Sequence, residues 1–181
     1  MPRTRRSNSF AAVVLLAVLQ LGCVSQPETY APPTQRKPLS VGDPSPLKAF
    51  VNMNDSDASV HFVRDISPTV EGVWRWARQK PTLLLSVPTA TGWKFAADVT
   101  ISDLTFKDTG PVNITVTING HELTKAHFDK PGPGHIEKPV PPEWLRPKAE
   151  NVVSLEIDKV WIAPEDKAVL GFVLTGAGFI H

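Results

Sequence analysis

The chain is nearly without cysteine: Cys23 stands alone among 181 residues. With no second thiol it closes no internal disulfide and builds no multi-cysteine zinc site. Tyrosine is equally scarce, Tyr30 being the single one. No apolar run reaches the roughly 20 residues that a membrane-spanning helix requires. There is no basic run either, and the formal net charge is only +1. That excludes the electrostatic case for nucleic-acid binding. No segment sustains a 3.6-residue apolar period, which argues against a helical domain. Gly-x-Ser-x-Gly elbows, His-Glu-x-x-His helices and glycine-rich phosphate loops are also missing, so enzyme activity is not expected.

What is present is uneven. Arg3, Arg5 and Arg6 precede an apolar stretch from Phe10 to Leu19, of signal-peptide length. The stretch leads into Gln20-Leu21-Gly22-Cys23, which resembles the bacterial lipobox, with Gln20 where that pattern carries leucine and Leu19 one place earlier. The resemblance implies cleavage between Gly22 and Cys23 and lipid on the Cys23 sulfur. Two or three acyl chains anchor stably where one does not. Val24 stands where an inner-membrane retention signal would carry aspartate, which in a Gram-negative host implies sorting to the outer membrane of the cell envelope. Without the three leading arginines 16 basic residues face 18 acidic ones, about −2 for the processed chain.

Prolines 27, 32, 33, 38, 44 and 46 fall in the next stretch and forbid helix or central strand there. The expected organisation is a signal peptide over 1–22, a lipidated, proline-rich tether over 23–57, and one domain over 58–181. Residues 52–59 hold acids at spacings like those of a calcium loop but lack its glycine and closing glutamate, so they are taken as a solvated linker end.

From residue 58 the period is two. Phe95, Ala97, Val99 and Ile101 alternate with polar or small residues, as do Ile114, Val116 and Ile118, and again Val153, Leu155 and Ile157. Asn119-Gly120 predicts a type I′ hairpin that would set Val116 opposite Leu123 and Thr115 opposite Thr124. Leu83–Leu85 predicts a buried strand, and Val169–Leu174, apolar apart from Gly171, predicts a central strand that is buried on both sides or carries a bulge. A helical turn is expected at Pro142-Glu143-Trp144-Leu145, and Lys107-Asp108-Thr109-Gly110-Pro111 as a turn. Seven or eight short strands predict an all-β domain, a single sandwich of jelly-roll type.

Gly72-Val73-Trp74-Arg75-Trp76-Ala77, the strand Thr82–Val87, Asn119-Gly120, Leu155-Glu156-Ile157, Pro164 with Asp166, and Leu170-Gly171-Phe172 together resemble β-sandwich accessory domains of bacterial glycosyltransferases and methyltransferases. Such domains are carbohydrate-binding-like, and the resemblance implies fold more than function. The whole chain also resembles a family of bacterial lipoproteins with no assigned role.

Five tryptophans are the distinctive chemical feature. On a strand, Trp74 and Trp76 share a face, with Arg78 next along it. Trp161 follows a strand whose alternation has lapsed. These four are the candidate ligand-binding residues, for stacking on sugar rings. Core packing is the competing expectation, and it is strongest for Trp76. His127 with Asp129, and His135 with Glu137, can be drawn as a metal site across Pro131-Gly132-Pro133-Gly134, but solvated loop side chains are the expectation. The pair Asp103 and Asp108 needs no role on an acidic surface. No cofactor is expected. The candidate partners are the membrane, through Cys23, and an envelope glycan or protein. The alternatives to a binding module are a structural subunit of an envelope or secretion complex and, behind it, an unrecognised hydrolase.

Overall fold

The computed structural model of the protein describes residues 47–181. The expectations for the signal peptide, for Gly22 and Cys23, and for the tether as far as residue 46 lie outside the described residues. The described strands are β1 (Phe50–Asn52), β2 (Phe62–Ile66), β3 (Arg75–Leu85), β4 (Lys94–Ile101), β5 (Val112–Ile118), β6 (His121–Phe128), β7 (Gly132–Pro139), β8 (Asn151–Ile157), β9 (Trp161–Ile162), β10 (Val169–Leu170) and β11 (Phe172–Ile180). Nine of them make one antiparallel sheet in the order β6-β5-β8-β3-β11-β4-β7, with β1 added along β11 and β2 along β3. β9 and β10 form a separate two-stranded ribbon.

The domain is all-β, its main sheet nearly closed and sandwich-like around one core. Phe128 at the end of β6 lies against Gly134 of β7, so the two ends of the sheet meet there. The two-residue period seen in the sequence is the period of burial. Val112, Ile114, Val116 and Ile118 point inward, as do Phe95, Ala97, Val99 and Ile101, and Val153, Leu155 and Ile157. Burial of each large apolar side chain contributes about 1.5–3 kcal/mol. Asn119 and Gly120 have φ of 50° and 88°, as a type I′ turn requires. The 3-10 turn at Pro142–Trp144 falls where helix was expected.

Four expectations need correction. The first concerns the domain boundary, expected between 57 and 58. β1 lies before it and pairs Phe50, Val51 and Asn52 with Gly178, Ala177 and Gly176. Val51, Met53 and Ala58 are fully buried, while Asp55 and Asp57 hold Lys48 at 3.3 and 2.7 Å, so the segment is not a solvated linker end. A side chain on Gly178 would collide with the backbone of Ala49 and Phe50, which is why glycine stands where β1 crosses. Second, Val116 faces Thr124, not Leu123, because a bulge shifts the β5–β6 register between Val116 and Thr117. Third, Asp103–Thr109 is a short helix, α1, which absorbs Lys107, Asp108 and Thr109 of the expected turn. Ser102 caps it by accepting from the Leu104 amide, and Gly110 closes it at φ 66°. Fourth, the apolar run 169–174 is two strands broken at Gly171, and Leu84 is only half-buried between Leu83 and Leu85.

Candidate functional site

The outer face of the sheet carries the site. Over the first four residues of β3 the chain alternates: Arg75 and Ala77 are buried, Trp76 is half-buried outside, and Arg78 is exposed. Trp74 precedes the strand and is half-buried too. Its ring meets that of Trp76 edge to face, centroids 5.9 Å apart at 87°. Neither indole belongs to the core, and neither is free in solvent. The sequence therefore placed Trp74, Trp76 and Arg78 on one face as they are, and the core assignment for Trp76 does not hold.

The backbone beneath is fixed from inside. Arg75, between the two tryptophans, turns inward and donates from Nε to the Met53 carbonyl at 2.7 Å. It also donates from one terminal nitrogen to the carbonyls of Ser67, at 3.2 Å, and Pro68. Its guanidinium lies over the Phe62 ring, 5.3 Å from the centroid. A planar donor fork suits such a set of carbonyls, and burial without it would be costly. Sequence reading missed this role, for which no local signal exists: the carbonyls come from residues 7, 8 and 22 positions away.

Trp161 arrives from the other side. The β9–β10 ribbon lies over β3 because the chain passes through Gly171, whose amide donates to the Ala77 carbonyl at 2.9 Å. A Cβ at Gly171 would strike the Arg78 carbonyl, so the approach requires glycine. Trp161 is half-buried, and its Nε1 donates to Asp108 of α1 at 2.6 Å, which fastens ribbon to helix. Between ribbon, helix and sheet lies a cavity of about 630 Å³, lined by Trp76, Leu104, Trp161, Pro164, Asp166 and Leu170 among others. A second cavity of about 340 Å³ has Trp74, Trp76, Asp103 and Thr175 in its lining. A third, of about 140 Å³, brings in Arg78 and Ser67, again beside Trp76. Trp76 lines all three cavities, while Trp161 lines the first, Trp74 the second and Arg78 the third; the groove is the run of these cavities around Trp76.

The remaining tryptophans stand elsewhere. Trp93 is buried and donates to the Thr89 carbonyl at 3.0 Å, with His181 packed on its ring. Trp144 is stacked by His121, centroids 4.9 Å apart.

The histidines do not converge on a metal. His127 on β6 bonds to Asn113 at 3.0 Å, while His135 on β7 bonds to Asp98 at 2.7 Å and approaches Glu137 at 3.4 Å. Among the described residues no group of three or more ligating side chains comes together. The Asp98 hydrogen bond, then Glu137, raises the His135 pKa above the ordinary imidazole value. Lys94, and after it His135, lowers that of Glu137. His61 is fully buried, Nδ1 on the Leu84 carbonyl at 2.8 Å and Nε2 without a hydrogen-bond partner.

No protein-family model matches the chain, and no curated protein matches it.

Proposed function

We propose that the protein is a lipid-anchored lipoprotein of the bacterial envelope whose β-domain binds a glycan in the tryptophan groove. The observation that carries this reading is the meeting of Trp74, Trp76 and Trp161, each half-buried, around cavities also lined by carboxylates and hydroxyls. Sugar rings offer apolar faces for stacking and hydroxyls at their rims for hydrogen bonds. A weakly binding polyol needs a surface already held in place. Here Trp161 is fixed by Asp108, Trp74 and Trp76 brace each other, and Arg75 secures the strand between them. The anchor is read from Gly22 and Cys23 in the sequence.

A second reading, docking of a partner protein, has one observation in its favour. Val60, Val63, Val70 and Val73 are large apolar side chains left exposed. Against docking by strand addition, the edge strand β7 carries Pro133, Lys138 and Pro139, and β6 carries Glu122 and Lys125, residues that guard an edge. The groove is the better supported site.

Two experiments test the proposal. Trp76→Ala should abolish binding on an envelope-glycan panel while the domain still melts cooperatively within a few degrees of the unaltered protein. Unchanged glycan binding in a folded Trp76→Ala domain would remove the groove from the account. For the anchor, Cys23→Ser should block palmitate incorporation and leave the precursor uncleaved. Normal processing of that variant, with no palmitate on the unaltered chain, contradicts the lipoprotein assignment.

A further inference from the structure

We infer that the ligand is a chain of several sugar rings laid across the strands, and that Thr100, Thr175, Asp98 and His135 form its second subsite, beyond the tryptophans. The inference rests on the glycan reading and extends it to the length and footprint of the ligand.

Strand register supplies the line. Trp76 pairs with Val173, Val173 with Thr100, and Thr100 with Pro133. Directly paired residues point to the same side of a sheet, so these four form one row on the outer side of β3, β11, β4 and β7, in which Val173 is buried at 8 % exposure and the others reach the surface. At about 4.8 Å between strands, three steps span about 14 Å, more than one ring needs. The row is low beyond Trp76, since valine, threonine and proline follow an indole. Nothing bulky in it would lift a chain off the sheet.

The cavities join along the same line. Thr100 and Thr175 line the cavity beside Trp74 and Trp76, and they also line a further one of about 300 Å³ with Asp98, Gly134 and His135. Two pairs further along the β4–β7 ladder, and so on the same face, Asp98 is opposite His135, joined through Oδ1 and Nδ1 at 2.7 Å. Both side chains remain about half exposed. Their pairing orders them in advance: Glu137 closes on the imidazole Nε2 at 3.4 Å, and the half-exposed Asp98 carboxylate is held through Oδ1. Two hydroxyls and a carboxylate oriented by the imidazole are bonding partners for ring hydroxyls, whereas this end offers no indole to stack on. The division is therefore chemical as well as spatial: stacking at the tryptophans, hydrogen bonding at the far end.

Calorimetric titration with β1,4-linked glucose and N-acetylglucosamine oligomers, from one ring to six, tests the proposal. Affinity should rise with each added ring and level off once the row is spanned. Asp98→Ala and His135→Ala should weaken the longest oligomer about five- to tenfold, the loss of one or two hydrogen bonds, and leave the shortest binding oligomer unchanged. Both positions are exposed, and Asp98→Asn, which keeps the shape, serves as a second variant should Asp98→Ala unfold. Affinity independent of length, or equal loss for short and long oligomers, overturns the extended footprint alone. If neither series nor the wider glycan panel binds, the glycan reading fails and the footprint with it.

Discussion

At the scale of single residues, the molecule divides its aromatic and charged side chains by which way they face. Arg75 and Trp76 are neighbours in sequence with opposite tasks, one holding carbonyls inside and the other flooring a groove outside. Arg75→Ala should therefore destabilise the domain by about 3 kcal/mol, since buried carbonyls lose their donor. Thermal and denaturant unfolding of the variant check this, and loss below about 1 kcal/mol would show the carbonyls finding other partners. Trp161→Phe keeps a ring but loses the bond to Asp108; it should weaken glycan binding and change stability by less than about 1 kcal/mol at this partly exposed site. His135 supplies a pH signature. Its folded pKa is raised, mainly by Asp98, so its stabilising contribution is full below the unfolded value, about 6.5, and disappears as pH rises through the folded one. An NMR titration should find His135 above the ordinary imidazole range in the unaltered protein and closer to it in Asp98→Asn. Of the site, Trp74, Trp76, Arg78 and Trp161 were legible because strand period and lapsed alternation are local. Arg75 was not, because its three carbonyl partners are set by tertiary folding.

At the scale of elements, legibility follows length and burial. β4, β5 and β8 are seven or eight residues long with one face on the core, and their alternation announces them. β1 has three residues, too few for a period, and its partners Gly176–Gly178 lie at the far end of the chain. α1 buries only Thr105, so it has no apolar stripe to read; its Ser102 cap and Gly110 stop were the available marks. The bulge that displaces Leu123 leaves no trace in a hydrophobic pattern that stays inward on β5 either side of it. Two predictions belong here. Ser102→Ala should cost about 1 kcal/mol through the lost cap. A chain starting at Leu47 should fold cooperatively, whereas one starting at Ala58 loses the buried Val51 and Met53 and should be destabilised by at least about 3 kcal/mol. Equal melting temperatures for the two would show β1 to be dispensable.

At the scale of the whole molecule, the nearly closed sheet forms the floor, and a two-stranded ribbon and one short helix wall its outer face into a groove. Core and site are thereby separated, the core inside the sheet and the groove outside it. The five tryptophans report this division directly, since three lie in the groove and Trp93 and Trp144 lie away from it. The most direct measurement is an NMR titration of the assigned indole N–H signals with the oligosaccharide that binds best. The account predicts that Trp74, Trp76 and Trp161 shift together in a saturable manner while Trp93 and Trp144 stay in place. Shifts confined to Trp93 or Trp144, or five unmoved indoles across the whole glycan panel, would contradict it.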